Sequence, residues 1–285
     1  MSAAVRAAEE AIKQAEKYQM RSEELGTLVV TAKEQVTRVT EAMAAAEEAA
    51  KAKAAKALIA ANESNLLYAA WEGNAAAVKA YVMIKGASVH CRDNQQFTPL
   101  HWAACCGHPR AVKMLVELGA DMEATEHSGA KPLHYAVGRG LWDTVVMLVE
   151  LGADLHSTDA KGGTQLHWAA GNGMVNTMEA LTVMGLDVEV PNLNGHRPLH
   201  YAISENEPEA VRRLVQLGAD KEALDDAGMT PLQYAASNGK VKMVKLLAEL
   251  GASLQAKSAD GKTALQMCAG KEKVVEVLKA LSGGC

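Results

Sequence analysis

A short motif that returns at a fixed interval limits the fold of this chain more than any other feature. The motif Thr-Pro-Leu-His begins at Thr98, and variants of it begin every 33 residues, without a slip, at Lys131, Thr164, Arg197, Thr230 and Thr263. A constant period of this length is typical of stacked supersecondary units, in which each unit packs only against its neighbours. The sequence therefore predicts an elongated solenoid that acts through its surface.

The composition fits such a solenoid and excludes several classes of protein. Of the 285 residues, 49% are hydrophobic and only 4% aromatic, which suits small helices packed closely through Ala, Leu, Val and Met. The net charge of −5 disfavours nucleic acid or an anionic membrane as the partner. Because there is no secretory signal and no long apolar run, we expect an intracellular, cytoplasmic protein without membrane insertion. Association with a large assembly or the cytoskeleton stays open.

The five cysteines are odd in number and lack framework spacing, so we expect reduced thiols. No phosphate-binding loop, nucleophile elbow or zinc-protease helix is present. We therefore expect no catalytic activity, no cofactor and no metal site.

Residues 1–61 are expected to form a helical or coiled-coil arm. They contain no Pro and one Gly, and strong helix formers dominate them. Apolar residues alternate at spacings of three and four, as a coiled-coil seam requires. The seam comprises Leu25, Val29, Ala32, Val36, Val39, Met43, Ala46 and Ala50. Because Ala buries little area, two interpretations stay open: the arm docks on a partner, on a second copy or on the protein itself, or it is an isolated helix or a partly disordered tail.

Each repeat is expected to fold as helix, turn, helix and protruding loop. Thr164 can cap the first helix, and the next position is usually Pro, which favours a helix start. The small pair Ala169-Ala170 lets neighbouring helices approach closely, and Gly173 ends the helix. A second helix then shows apolar residues at helical spacing. Such a unit cannot bury its faces alone, so it must stack.

These features resemble the ankyrin repeat, both in the Thr-Pro-Leu-His start and in the loop Gly119-Ala120-Asp121, which recurs at Gly152 and Gly218. The resemblance covers residues 64–281 and predicts seven repeats, which start near residues 64, 98, 131, 164, 197, 230 and 263, followed by a tail at 282–285. It implies an all-α solenoid that binds proteins. Gln165 and Ala264 depart from the family pattern where Pro is usual.

In the family that the chain resembles, partners bind a concave groove lined by loop tips and by the exposed ends of the first helices. Carried over by position, this predicts a partner-binding groove along the whole solenoid. Its candidate residues are Trp71, Glu72, Asn94, Gln95, Phe97, Cys105, Cys106, His127, Ser128, Arg139, Lys161, Asn172, Asn194, His196, Glu205, Met229 and Asn238.

Large apolar candidates gather at the N-terminal end of this groove. Trp71, Phe97 and the Cys105-Cys106 pair occupy positions expected to face solvent, whereas glycines occupy the middle. Exposed apolar groups of this size favour a binding anchor for a partner helix or strand, or for the protein's own N-terminal helix. The alternative is that Trp71 merely packs beneath the first repeat.

Two repeated series of side chains are expected to be mainly structural. The family resemblance implies that the motif histidines, His101, His134, His167 and His200, brace the helix start and the loop. The aromatic series is expected to pack half-buried between repeats, with groove contact as the alternative. It comprises Trp102, Tyr135, Trp168, Tyr201 and Tyr234.

The sequence thus favours a non-catalytic adaptor or scaffold that binds one or more proteins through the ankyrin groove, with the arm as a second attachment point. Two alternatives stay open. The chain could be a fixed structural subunit of a cytoskeletal, ciliary or organellar assembly, tethered by its arm, or it could be a regulatory subunit of an enzyme. The partner's identity does not follow from a fold of this kind.

Overall fold

The computed structural model describes residues 37–38, 41–42, 45–46, 49, 53 and 61–283. Within the predicted seam, Ala46 is helical and exposed. The other seam positions lie outside the described residues, namely Leu25, Val29, Ala32, Val36, Val39, Met43 and Ala50. Residue contacts divide the chain into the units Met1–Ala61 and Asn62–Cys285, and the second unit carries the repeats.

Residues 61–283 contain seven successive pairs of helices and no strand, as the sequence predicts for a solenoid. The pairs are α1 (61–71) and α2 (Ala75–Met83), α3 (Pro99–Cys105) and α4 (Pro109–Glu117), α5 (Pro132–Gly138) and α6 (Trp142–Glu150), α7 (Gln165–Gly171) and α8 (Val175–Val183), α9 (Pro198–Glu205) and α10 (Pro208–Gln216), α11 (Pro231–Ser237) and α12 (Val241–Glu249), and α13 (Ala264–Met267) and α14 (Glu272–Ser282). None of these helices combines the length and hydropathy that a bilayer span requires.

The first helix of a repeat begins at a polar cap that closes on itself. In α3 the hydroxyl of Thr98 accepts the backbone N–H of His101 at 3.4 Å, and His101 Nδ1 accepts the backbone N–H of Thr98 at 3.2 Å. These two bonds satisfy donors that a helix start otherwise leaves without partners. The repeated motif therefore stabilises the start of a short helix.

Two repeats replace the capping Thr with a cation and compensate with an ion pair. The Lys131 ammonium lies 2.7 Å from the Glu123 carboxylate, and the Arg197 guanidinium lies 2.8 Å from the Glu189 carboxylate. Both acids also belong to the preceding loop, so each pair ties the loop to the helix that follows it. In the two repeats that lack Thr, the ion pair thus fixes the loop relative to the start of the following helix.

The core is one continuous layer of small and branched side chains between successive repeats. First helices pack on first helices of the neighbouring repeats, and second helices pack on second helices. The motif leucines, Leu100, Leu133, Leu166, Leu199 and Leu232, are at most 1% exposed. At this burial each leucine contributes about 2 kcal/mol of hydrophobic stabilisation, so the motif supplies the core as well as the cap.

Backbone hydrogen bonds join the turns between repeats into a ladder. Ala160 N–H donates to Ser128 O at 3.0 Å, and Leu193 N–H donates to Lys161 O at 2.9 Å. Gly129 adopts φ +76°, and a Cβ there would lie 2.5 Å from the Ala160 nitrogen. Only glycine permits this approach. The turns therefore stack at a fixed spacing and present their tips on one side.

Candidate partner-binding surface

A pocket opens in the middle of the groove face, the surface formed by the turns between repeats and by the exposed ends of the first helices. Its volume is about 290 Å³. We call it the open pocket; it is lined by Ser128, Asp159, Lys161, His167, Trp168, Gly171, Asn172, Tyr201 and Glu205. Two turns and the helices α7 and α9 contribute these residues. The pocket therefore exists only because consecutive repeats stack: the four repeats that start near 98, 131, 164 and 197 all contribute to its lining.

One carboxylate fixes the turn to the helix at the base of this pocket. Asp159 Oδ1 accepts the backbone N–H groups of Lys161 and Gly163, both at 2.8 Å. Asp159 Oδ2 accepts the indole N–H of Trp168 at 2.9 Å. Hydrogen bonds to an ionised acceptor are about twice as strong as neutral ones. The Trp168 ring is thereby held in one orientation with part of its surface open to solvent.

The motif histidine beneath the pocket is a neutral brace. His167 Nδ1 accepts the Thr164 backbone N–H at 3.1 Å, and His167 Nε2 donates to the carbonyl oxygen of His196 at 2.9 Å. Burial lowers the pKa of His167, and it lowers the pKa of His101 to about 4. Both rings are therefore uncharged at neutral pH. The predicted brace at the helix start is confirmed for all four motif histidines, and the brace to the following loop is confirmed for His101 and His167.

Four of the predicted groove residues come together in the open pocket: Ser128, Lys161, Asn172 and Glu205. Most of the others lie outside it along the groove face. The exposed ones are Trp71, Glu72, Asn94, Gln95, His127, Arg139, Asn194 and Asn238, and the half-buried ones are Cys106, His196 and Met229. The candidates therefore form a long surface, and the open pocket is a concave part of it.

Two predicted anchor residues do not face solvent, so that expectation is wrong for them. Phe97 is 8% exposed and Cys105 is 5% exposed. The Phe97 ring packs between the rings of Trp102 and Tyr135, at centroid distances of 5.1 and 4.8 Å. The only Phe of the chain therefore packs against neighbouring repeats of the chain itself and is not available to a partner.

Trp71 behaves as expected for an exposed residue. It is 47% exposed and its ring lies 5.5 Å from the ring of Tyr68, which is 57% exposed. The alternative that Trp71 packs beneath the first repeat is therefore wrong. The apolar surface at the N-terminal end consists of this aromatic pair, without Phe97 and Cys105.

Two aromatic residues were expected chiefly to pack between repeats, and they also line the open pocket. Trp168 and Tyr201 are half-buried, which confirms the packing, but their remaining surface faces the pocket. Asp159 was not among the candidates. A signal for it exists in the sequence, because an Asp stands nine residues before both Trp102 and Trp168. That spacing places the acid of the turn beside the indole of the next helix.

Comparison with known families decides the assignment. The family model described as "Ankyrin repeats (3 copies)" matches residues 42–126, 66–159, 133–225 and 217–284. The chain belongs to the ankyrin-repeat family. Ankyrin repeats bind proteins and are in general non-catalytic interaction modules, which agrees with the geometry of a surface built from stacked turns.

Solved ankyrin domains share the architecture. The chain is 30% identical to the ankyrin repeat domain of human ASB11, with a TM-score of 0.61, and the match covers 77% of this chain and 98% of that one. It is 27% identical to the ankyrin repeat domain of Bcl-3, a member of the IkappaB protein family. That match has a TM-score of 0.59 and covers 75% and 97% of the two chains.

The curated relatives match only in short segments. Palmitoyltransferase AKR1 of Saccharomyces cerevisiae is 41% identical over 58 residues, which are 20% of this chain and 8% of the relative. Protein phosphatase 1 regulatory subunit 27 of Homo sapiens is 45% identical over 53 residues, which are 19% of this chain and 34% of the relative. The chain thus spans well under half the length of either relative.

Proposed function

We propose that this ankyrin protein is a non-catalytic adaptor or scaffold that binds a partner protein through its groove face, centred on the open pocket. The observation that carries the proposal is the lining of that pocket. Four successive repeats contribute to it, and it joins four residues chosen by position in the motif with two half-buried aromatic rings. Concave sites with aromatic walls and a few polar groups are typical of binding sites.

The rigidity of the surface supports the same proposal. The turns are joined by backbone hydrogen bonds, and Asp159 fixes the Trp168 indole. A surface that is already ordered loses little conformational freedom when it binds, so more of the contact energy remains as affinity. An exposed leucine, Leu193 (73% exposed), lies on the turn beside Lys161 and extends the apolar contact area beyond the pocket.

The distribution of charge also favours a particular kind of partner. Residues 1–61 contain nine Lys and Arg and nine Asp and Glu, so the net charge of −5 belongs entirely to residues 62–285. A protein surface of this sign speeds association with a partner that presents basic residues, and salt weakens that effect.

Partner capture by the full-length protein tests the proposal. The double variant Asn172→Arg, Glu205→Arg adds bulk and positive charge at the pocket wall. Both residues are exposed, and the variant removes the hydrogen bond that Asn172 Nδ2 donates to Trp168 O at 2.8 Å. Partners recovered from cells and quantified by mass spectrometry should fall in abundance with this variant. The control Glu209→Arg repeats the charge reversal of Glu205→Arg on α10, outside the pocket.

The proposal fails if the double variant, shown by circular dichroism to keep its helices and its unfolding midpoint, recovers the same partners as the unaltered chain. Equal losses with Glu209→Arg would indicate a general charge effect instead. The arm is proposed as a second attachment point. Val29→Asp with Val36→Asp should then remove a different subset of partners, because a charge at a seam position opposes helix pairing.

A second candidate function is regulation of an enzyme, and the similarity to protein phosphatase 1 regulatory subunit 27 favours it. In that case the groove face would bind a catalytic subunit. Protein phosphatase 1 activity measured with and without the full chain tests this candidate. An unchanged rate and no binding of the catalytic subunit would reject it without affecting the adaptor proposal.

A further inference from the structure

The repeats contain two versions of the same site, 66 residues apart. We call the first the closed site; it comprises Asp93, Phe97, His101, Trp102, Cys105, Tyr135 and Arg139. The corresponding residues at the open pocket are Asp159, Gly163, His167, Trp168, Gly171, Tyr201 and Glu205. The Asp, the His, the Trp and the Tyr are the same in both sites. The Phe, the Cys and the Arg are not.

The shared residues make the same hydrogen bonds in both sites. Asp93 Oδ1 accepts the Phe97 backbone N–H at 2.9 Å, and Asp93 Oδ2 accepts the Trp102 indole N–H at 2.9 Å. The bonds of Asp159 to Gly163 and Trp168 are 2.8 and 2.9 Å long. The walls of the two sites are therefore equivalent in structure as well as in sequence.

The difference between the sites is the presence of a ring. In the closed site, the Phe97 ring lies 5.3 Å from His101, 5.1 Å from Trp102 and 4.8 Å from Tyr135, measured between ring centroids. The three counterparts of these contacts, His167, Trp168 and Tyr201, line the open pocket. The open pocket is thus bordered by a His, a Trp and a Tyr ring at the positions that correspond to the three rings around Phe97.

Two glycines explain why this pocket is open whereas the corresponding closed site is filled. Gly163 stands where the closed site has Phe97, and Gly171 stands where it has Cys105. The resulting pocket measures about 290 Å³, whereas an apolar cavity of about 150 Å³ is enough to bind benzene. There is room for a ring of phenylalanine, tyrosine or tryptophan.

We propose that the open pocket receives an aromatic side chain of the partner protein, in the place that Phe97 fills in the closed site. The inference rests on the proposed function, because it names what the groove face binds. Buried aromatic anchors carry a large share of the energy in protein interfaces. Edge-to-face contact with the rings of Trp168 and Tyr201 adds about 0.5–1.5 kcal/mol per pair to the area buried.

The side chain at the rim of the open pocket indicates which kind of partner residue lies next to the bound aromatic side chain. Arg139 stands at the rim of the closed site, and its counterpart Glu205 at the open pocket is exposed. Within residues 61–283 the Glu205 carboxylate has no hydrogen bond or ion pair. Lys161 belongs to the turn side of the pocket, whereas Glu205 belongs to α9. A basic residue of the partner next to the aromatic residue would pair with Glu205 on the α9 side.

Selection of peptides from a random library displayed on phage, with the full-length chain as bait, tests this inference. Selected peptides should share one aromatic position with Lys or Arg beside it. Gly163→Phe should weaken their binding by roughly tenfold or more, because the chain's own ring would then fill the pocket. A Cβ at Gly163 would lie 2.7 Å from Asp159 Oδ2, so the carboxylate must shift slightly, and Phe97 beside Asp93 shows that the motif accommodates a side chain at this position.

Gly171→Leu is the second variant, in case Gly163→Phe does not fold. A Cβ at Gly171 makes only ordinary contacts, the nearest being Tyr201 Cδ1 at 3.5 Å, and the leucine would project towards the pocket from α7. Lys113→Leu adds the same side chain on α4 and is the matched control. The Trp168 indole N–H signal, assigned in NMR spectra with Trp168→Phe, should shift when a selected peptide binds.

The outcomes separate this inference from the proposed function. Peptides that lose binding with Asn172→Arg, Glu205→Arg but have no shared aromatic position overturn the inference and leave the groove function standing. The same holds for peptides that bind folded Gly163→Phe and Gly171→Leu as well as the unaltered chain. Peptides whose binding is indifferent to every groove variant overturn both.

Discussion

The closed site and the open pocket share a hydrogen-bonded frame and differ in what occupies it. In both, an Asp of the turn binds the indole N–H of the following helix, and a neutral His braces the helix start. Phe97 fills the first site, and Gly163 leaves the second open. A repeat protein can therefore keep its frame constant for folding and change a few residues for binding.

The two sites therefore differ in role: the closed site stabilises the fold, whereas the open pocket is available for binding. At the closed site, the Phe97 ring is buried against the half-buried rings of Trp102 and Tyr135 and contributes to folding. At the open pocket, part of the equivalent surface on Trp168 and Tyr201 remains in contact with solvent and is available to a partner. Equivalent Trp and Tyr residues can thus pack against a ring of the chain itself in one repeat and line an open pocket in another.

The largest expected effect is the loss of Phe97. Phe97→Ala should lower the free energy of unfolding by about 3–5 kcal/mol, because it removes a buried ring and leaves a cavity between neighbouring repeats. Urea unfolding followed by circular dichroism measures the change. A loss below about 1 kcal/mol would mean that the ring packs loosely, and the two sites would then be less different than their geometry indicates.

The next effect concerns the histidine that both sites share. Burial lowers the pKa of His101 to about 4, from a usual value near 6.5. The unfolded chain therefore takes up a proton as the pH falls below about 6.5, and the folded chain does so only near 4. The stability that His101 contributes is complete above the unfolded pKa and is lost as the pH falls through this window, by about 3 kcal/mol at most.

Glutamine provides the matched substitution for this test. Gln233 stands at the same motif position in a later repeat, where its Oε1 accepts the Thr230 N–H and its Nε2 donates to Lys262 O, as the imidazole does elsewhere. His101→Gln should flatten the fall in unfolding midpoint between pH 6.5 and about 4, and His167→Gln should flatten it below about pH 6.5; both should leave the midpoint nearly unchanged at pH 8. Unchanged pH profiles in both variants would show that the histidines carry no such linkage.

Much of the fold follows from the repeated motif alone. The 33-residue period predicts the seven helix pairs, because each copy of the motif starts a short helix and the leucines from Leu100 to Leu232 are buried. The helix starts and the apolar helical faces each depend on residues only three or four apart in the chain. Hydrogen bonds and helical spacing of this kind are decided within one repeat, so a sequence displays them.

The binding site was predicted less well because it depends on residues about 33 apart. Four pocket residues follow from their motif position, but the burial of Phe97 does not, since it depends on Tyr135 in the next repeat. Position alone could not distinguish a ring that points to solvent from one that lies against its neighbour. The exchange of Phe97 for Gly163 at the same motif position was the available signal.

A smaller effect is expected from the acids that hold the turns. Asp93→Ala and Asp159→Ala should each lower the free energy of unfolding by about 2–3 kcal/mol, because each removes hydrogen bonds to an ionised acceptor. Denaturant unfolding should give similar losses for the two. Only Asp159→Ala should also weaken the selected peptides, since only there does the freed indole border the open pocket.

The smallest effect on stability is expected at the rim. Glu205→Arg and Arg139→Glu change exposed side chains, so each should alter the free energy of unfolding by no more than about 0.5 kcal/mol. Their effects on binding should nevertheless differ. Glu205→Arg places a positive charge where the partner's basic residue is expected and should slow association, most strongly at low salt. Arg139→Glu lies at the closed site and should leave the affinity for the same peptides unchanged in titration calorimetry; a comparable loss in both variants would mean that the two rims act as one surface.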